Sequence, residues 1–330
     1  MTPLSTDTVR WGILGPGSIA ISFARGLTSA SGATLQAVGS RTQEKADTFG
    51  AEHSIPNRHG SYEALAADPE VDAIYISTPH PQHKDAALLC LRHGKAVLVE
   101  KPFAVNADET EEMIAEARAQ DVFLMEAMWS RFFPAMDHLK QILAEGIIGQ
   151  PRMLLADFGF RTGVNPEGRL FAPAMAGGGL LDVGIYPLSL ASFLFGAASQ
   201  AVGVADMGET GVDEQAALSL LYQNGEVAAL TCGTRTNTPH GATILGTEGS
   251  IKLAEPFWKP STMTIKAGDK TEEVTVPFTG QGMNYEAEEV GNCLRAGKTE
   301  SDKLPLSETL SLMKTMDSLR SQWGLKYPME

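Results

Sequence analysis

The sequence predicts two domains: an α/β domain with a doubly wound parallel sheet, then an α+β domain on a mostly antiparallel sheet. Three observations predict this. The chain has 330 residues, and at ~100–200 residues per domain two is the natural number. Residues 1–128 alternate short apolar runs with helical stretches, the pattern of a parallel sheet. From about residue 150 strands come at short spacing instead, and Asn224-Gly225 marks a tight hairpin. The boundary is accordingly placed between 1–128 and 129–330.

The elements follow in order. In the first domain, strands are expected at 9–14, 34–38, 71–77, 96–99 and 122–126. Helices are expected after the first strand to about Ser29, and at 43–52, 82–93 and 106–120. Asn106 and Glu109 have the spacing of a capping box, whereas Glu109, Glu111 and Glu112 together read as a solvated helix face. In the second domain, strands are expected at 152–158, 201–205, 216–222, 226–234, 242–245, 250–253, 263–266 and 273–276. Helices are expected near 180–195, 285–296 and 307–323. Pro187 should weaken or bend the first of these.

Composition narrows the function. With 26 basic and 40 acidic residues the net charge is −14. That disfavours nucleic acid and anionic membrane surfaces, both of which need clustered Lys and Arg. The richest apolar run, 177–198, carries Asp182, which argues against a membrane span. Three scattered cysteines fit free thiols in a reducing cytoplasm.

Gly15-x-Gly17-x-x-Ala20 lies between a predicted strand and a predicted helix, and includes Ser18 and Ile19. Gly15 permits the tight turn, Gly17 lets backbone approach a pyrophosphate, and the helix N-terminus attracts the anion. This is the turn of a Rossmann dinucleotide-binding domain. Where an NAD enzyme carries an acid after its second strand, this chain has Ser40, Arg41 and Thr42. These can bind a 2′-phosphate, so NADP is expected.

Strand C-termini face the ligand crevice of such a sheet. That aims Glu100, Lys101 and Pro102 at the site, and likewise Thr78, Pro79, His80 and His83. His80 and His83 lack partner ligands at metal-site spacing, so no metal is expected. Gly177-Gly178-Gly179 precedes a helix with Asp182 and Tyr186 four apart.

Gly15-x-Gly17, Glu100-Lys101-Pro102 and the run from Gly177 to Pro187 together resemble the glucose–fructose oxidoreductase / inositol dehydrogenase / rhizopine-catabolism (Gfo/Idh/MocA) family. The dihydrodiol and xylose dehydrogenase branch is the most similar. Residues 125–134, 246–249, 285–290 and 313–324 extend the likeness over nearly the whole chain. The resemblance implies a Rossmann domain with an open-faced sheet domain, and NADP as cofactor. It implies that Lys101 and Tyr186 handle the proton while Asp182 orients them. Either Tyr186, its phenol activated by Lys101, or Lys101 itself is the acid/base. It places Pro79 and His83 near the cofactor, and gives an aromatic substrate pocket matching Trp129, Phe158, Trp258 and Phe278. Arg131 and Arg169 are candidates for cofactor or substrate contacts.

The expected activity is NADP-dependent oxidation of a sugar or cyclic polyol: an aldose at C1 first, a trans-dihydrodiol second. An NADP-binding sensor, or a reductase of a non-sugar substrate such as a tetrapyrrole, is the alternative. A helix-free sheet face in the second domain would make a homodimer or homotetramer.

Overall fold

A computed structural model describes residues 3–330. The first of its two compact units comprises residues up to Trp129 together with Thr279–Leu310. It contains β1 (Val9–Leu14), α1 (Ser18–Leu27), β2 (Ala33–Gly39), α2 (Gln43–Glu52), β3 (Asn57–His59), α3 (Tyr62–Ala66), β4 (Ala73–Ile76), α4 (His83–Arg92), β5 (Ala96–Glu100), α5 (Ala107–Gln120) and β6 (Leu124–Ala127). The six strands are parallel in the order β3-β2-β1-β4-β5-β6. The order reverses between β1 and β4, which makes the crevice beyond their C-termini the ligand-binding position of a doubly wound sheet. Strands β4, β5 and β6 are buried at every residue, as a sheet covered on both faces requires.

The Asn106 cap forms: its Oδ1 accepts the Glu109 amide at 2.9 Å. Glu109 is not simply solvated, since its carboxylate accepts the Val105 amide at 3.1 Å.

The second unit comprises Ser130–Phe278 and Ser311–Glu330. It contains α6 (Pro134–Ala144), β7 (Pro151–Gly159), α7 (Ile185–Phe195), β8 (Ala198–Met207), β9 (Asp213–Tyr222), β10 (Val227–Gly233), β11 (Ala242–Gly246), β12 (Gly249–Leu253), β13 (Thr262–Ala267) and β14 (Lys270–Thr275). The eight strands run β14-β13-β12-β11-β7-β10-β9-β8, with only β7 and β10 parallel. Gly225, with φ +84°, closes the expected β9–β10 hairpin.

The chain divides after Trp129, and Thr279–Leu310 belongs to the first unit, where the sequence reading places all of 129–330 in the second. α8 (Met283–Arg295) packs on the first unit, where its Met283 lies against Gly26 of α1. The Leu4 amide donates to Leu294 O at 3.0 Å, and the Leu124 amide to Thr299 O at 3.1 Å. The division then falls within α9 (Leu306–Trp323).

The apolar segment Pro173–Phe195 is long enough to cross a membrane, but its most apolar stretch is 78% buried within the protein. It is a core helix of the second unit. The irregularity expected at Pro187 is present: Leu180–Gly184 is a π-helical turn directly ahead of α7, so the hydrogen-bond ladder leaves the α-helical register within one turn of the missing N–H.

Candidate active site

Two half-sites carry the chemistry, one in each unit. In the first unit, β1 runs into Gly15, whose φ of +90° is a left-handed conformation open to glycine. Its amide donates to Gly39 O at 3.0 Å, and its carbonyl accepts Ser77 Oγ at 2.8 Å. A methyl group built on Gly17 would meet no atom within 4 Å. That space lies at the start of α1, where the N-terminal amides attract anions. Thr78 is buried, and its Oγ1 has no hydrogen-bond partner among the described residues. An open cradle and an unsatisfied hydroxyl at the end of β4 both fit a dinucleotide. Ser18 starts α1, and Ile19 is 39% exposed beside it, an apolar side chain the fold leaves uncovered at the crevice.

No acid stands at the end of β2. Ser40 is buried, and Arg41 and Thr42 are exposed at the start of α2. Thr42 caps that helix, accepting the Lys45 amide at 3.4 Å, so its hydroxyl hydrogen can still be donated. The donors fit a 2′-phosphate.

Lys101 follows β5 directly. Glu100 is buried beneath it and accepts the Lys101 amide at 3.1 Å through Oε2, and the Tyr75 hydroxyl through Oε1. Tyr75 in turn stacks on Phe23 of α1 at 3.8 Å. Just past Pro102, the Phe103 amide donates to Glu126 Oε1 at 3.1 Å, and Thr309 donates to Glu126 Oε2 at 3.2 Å. Two buried carboxylates thus fix the backbone on either side of Lys101. Glu126 as a holder of this turn was not legible from the sequence.

His83 is fully buried, with Nε2 2.8 Å from Thr78 O and Nδ1 2.9 Å from Pro102 O. Burial pushes its pKa down, and the backbone carbonyls oppose that push. It ties the loops after β4 and β5 together and bears on any ligand through them. His80 stands beside it, ring centroids 5.7 Å apart, in the short turn that opens at Pro79.

In the second unit, Asp182 lies in the π-turn and Tyr186 in α7, both buried. Arg169 Nη1 donates to Asp182 Oδ1 at 2.9 Å, so Arg169 acts on the acid. Phe158, at the end of β7, stacks on Trp258 at 3.5 Å and 5°, and its ring lies 5.2 Å from Tyr186. His240 completes the cluster 4.7 Å from Trp258, a neighbour that no motif signalled. Phe278 stands apart from this cluster, packing edge-on against Phe133 at 5.0 Å with Lys259 over its face. Arg131 is buried, donating to Ser189 O at 3.1 Å and lying over the Phe193 ring, which braces α7. Trp129, the last residue of the first unit, is half-buried.

A doubly wound nucleotide sheet with a lysine at its crevice, joined to an open-sheet unit with an acid–tyrosine helix, defines a class of dinucleotide-dependent oxidoreductase. The chain belongs to the Gfo/Idh/MocA family. Residues 9–128 match the "Oxidoreductase family, NAD-binding Rossmann fold", and residues 136–252 match the "GFO/IDH/MocA C-terminal domain". A mouse trans-1,2-dihydrobenzene-1,2-diol dehydrogenase is 41% identical over 334 residues, covering 98% of this chain and 99% of its own. The human enzyme of the same name is 40% identical over 333 residues, with the same coverage. Among solved structures, the aldose-aldose oxidoreductase of Caulobacter crescentus has a TM-score of 0.86 at 24% identity, covering 96% of this chain and 98% of its own. A 3-ketoreductase of Actinomadura kijaniata, in complex with NADP and TDP-benzene, has a TM-score of 0.85 at 24% identity, covering 95% and 97%. These structures bear out the expected fold.

Proposed function

We propose that the protein is an NADP-dependent dehydrogenase of a cyclic secondary alcohol, with a trans-dihydrodiol ahead of an aldose as substrate. The observation that carries the reading is the flat aromatic wall beside Tyr186. Stacked Phe158 and Trp258 suit the face of an unsaturated six-membered ring better than a sugar studded with hydroxyls. The full-length likeness to dihydrodiol dehydrogenases supports the same order.

When bound, NADP+ supplies the hydride acceptor. The chain's own residues do the rest. Ser40, Arg41 and Thr42 bind the 2′-phosphate, and the Gly17 cradle and α1 bind the pyrophosphate. Tyr186, ionised as its phenolate with the Lys101 ammonium lowering the cost of that charge, accepts the substrate's hydroxyl proton and becomes the neutral phenol. Asp182, held by Arg169, orients Tyr186.

A second copy of the chain is the proposed partner. Met153, Leu155, Val202, Val204 and Leu221 are exposed on β7, β8 and β9, and Val204 is 73% exposed. An apolar sheet face of this kind is a natural isologous contact. Three buried free thiols suit the reducing cytoplasm as its location.

The test is NADPH formation across trans-dihydrodiols, aldoses and inositols, repeated with NAD+. Turnover of a dihydrodiol with NADP+ supports the reading. Silence across the panel with NADPH still bound favours a sensor or a non-sugar reductase.

A further inference from the structure

The helix that presents Asp182 and Tyr186 begins on a residue that cannot cap it. Gly179 has no side chain, and the first amides of a helix have no partner within it. A residue from a distant strand takes that role. Asp213, the first residue of β9, is 0% exposed, and its Oδ2 accepts the Leu180 amide at 2.6 Å. Its other oxygen, Oδ1, lies 2.2 Å from where a Cβ on Gly178 would stand, so any side chain there would displace the carboxylate. Gly178 also holds a φ of +122°, outside the range of other residues. Gly178 is thus the imprint of a carboxylate pressed onto the backbone, whereas a Cβ on Gly177 would meet Leu170 O at 2.7 Å. The turn is pinned from two further directions. The Tyr327 hydroxyl donates to Gly177 O at 2.6 Å, and the Gly178 amide donates to Leu170 O at 2.9 Å. The charged and titratable groups around Asp213 are Arg320 of α9, Tyr327 of the C-terminal segment and Cys232 of β10.

We propose that Asp213 is a positioning residue for the reaction: by holding the Leu180 amide it sets where the π-turn places Asp182 and Tyr186. The physical argument is local. A carboxylate at the first free amide also meets the positive end of the helix dipole. The segment it anchors contains a π-turn, whose wider ladder has more than one way to close. Without the anchor the turn can re-register, and a shift of ~1 Å at reacting groups costs up to ~100-fold in rate.

The proposal rests on the catalytic reading of Tyr186 and Asp182, so the test has one readout independent of turnover. Amide exchange of peptide 177–187 is followed in the full chain for wild type, Asp213→Asn and Asp213→Ala, with Asp213→Leu in reserve should the alanine variant not fold. Asn keeps an acceptor oxygen, whereas Ala and Leu have none. Exchange should rise in the Ala or Leu variant and stay near wild type in Asn. In parallel, kcat should fall by roughly 10–100-fold in Ala with KM for NADP+ within about twofold, and Asn should restore most of it. Unchanged exchange in the Ala variant overturns the proposal, as does raised exchange with unchanged kcat. A wild type that turns nothing over defeats the functional reading, and exchange then decides the anchor alone.

Discussion

Arg169 reaches Asp182 from the outside: Nη1 lies 2.9 Å from Oδ1, with the arginine 62% exposed and the aspartate 8%. The pair is lopsided. Solvent screens the arginine, so the contact is worth at most ~1 kcal/mol to the fold. Its value is directional, because it fixes one oxygen of an acid in the turn ahead of Tyr186. Arg169→Ala should leave the melting temperature within about 2 °C and lower kcat/KM by roughly 3–10-fold without changing NADPH affinity. Fluorescence titration with NADPH, alongside steady-state rates, checks the split.

Tyr186→Phe should lower kcat by ~10²–10⁴. The phenyl ring still fills the space beside Phe158, so the fold and the cofactor half-site are untouched. Lys101→Met should also be slow, since the charge that stabilises a phenolate is gone. If Tyr186→Phe turns over near normally while Lys101→Met is dead, Lys101 is the base and the tyrosine only positions the hydroxyl. Pre-steady-state measurement of NADPH formation separates these outcomes from slow product release.

Cofactor choice rests on three residues without an acid among them. Arg41→Ala should raise KM for NADP+ by about tenfold, the worth of roughly 1.4 kcal/mol, with little effect on NAD+. Ser40→Asp should invert the preference, because a carboxylate repels the 2′-phosphate and binds a free 2′-hydroxyl. Paired kcat/KM values for the two cofactors test both.

Much of this was legible in the sequence, and what was not shares a physical reason. Strands β1, β4 and β5 announce themselves as apolar runs with β-branched residues, β6 as a short apolar run without them, and the Gly15 turn places the crevice between β1 and β4. Asn224-Gly225 fixes its hairpin by local turn chemistry alone. The misses are non-local. β3 is three residues long and owes its existence to pairing with β2. The parallel pairing of β7 with β10 joins strands far apart in the chain. α8 turns back onto the first unit, which no local pattern signals. Asp213 reads as one more acid at a strand start, and its meaning appears only when Gly178 lies against it. Phe278 matches the aromatic pocket in type, but its partners are Phe133 and Lys259.

The open sheet face gives a sharp test of assembly. Val204→Lys places an ammonium at the most exposed apolar position of β8 without touching the covered face. Light scattering should show a dimer or tetramer for wild type and a shift to monomer for the variant, with the melting temperature becoming independent of concentration. A wild type of monomer mass at every concentration removes the homo-oligomer.

Buried carboxyls should make the fold less stable as pH rises. Glu286 of α8 is 0% exposed, and neither of its oxygens has a hydrogen-bond partner among the described residues. Burial, then the neighbouring Glu100, push its carboxyl well above the ordinary range. Burial also pushes Asp213 up to about 7, against the pull of the Leu180 amide and Arg320. Both groups keep a proton in the folded state that the unfolded chain has released above its ordinary carboxylate pKa of ~4. The unfolded state therefore binds fewer protons, and stability falls by up to ~1.4 kcal/mol per pH unit for each such group. For Asp213 the fall spans pH ~4 to about 7 and then stops, because above 7 both states are ionised. For Glu286 it starts at a similar pH and continues higher. Glu286→Gln should flatten the upper part of the profile, and adding Asp213→Asn should flatten the lower part. Urea unfolding from pH 5 to 9 measures both slopes, and a wild-type profile that rises over this range would mean that neither carboxyl is held protonated.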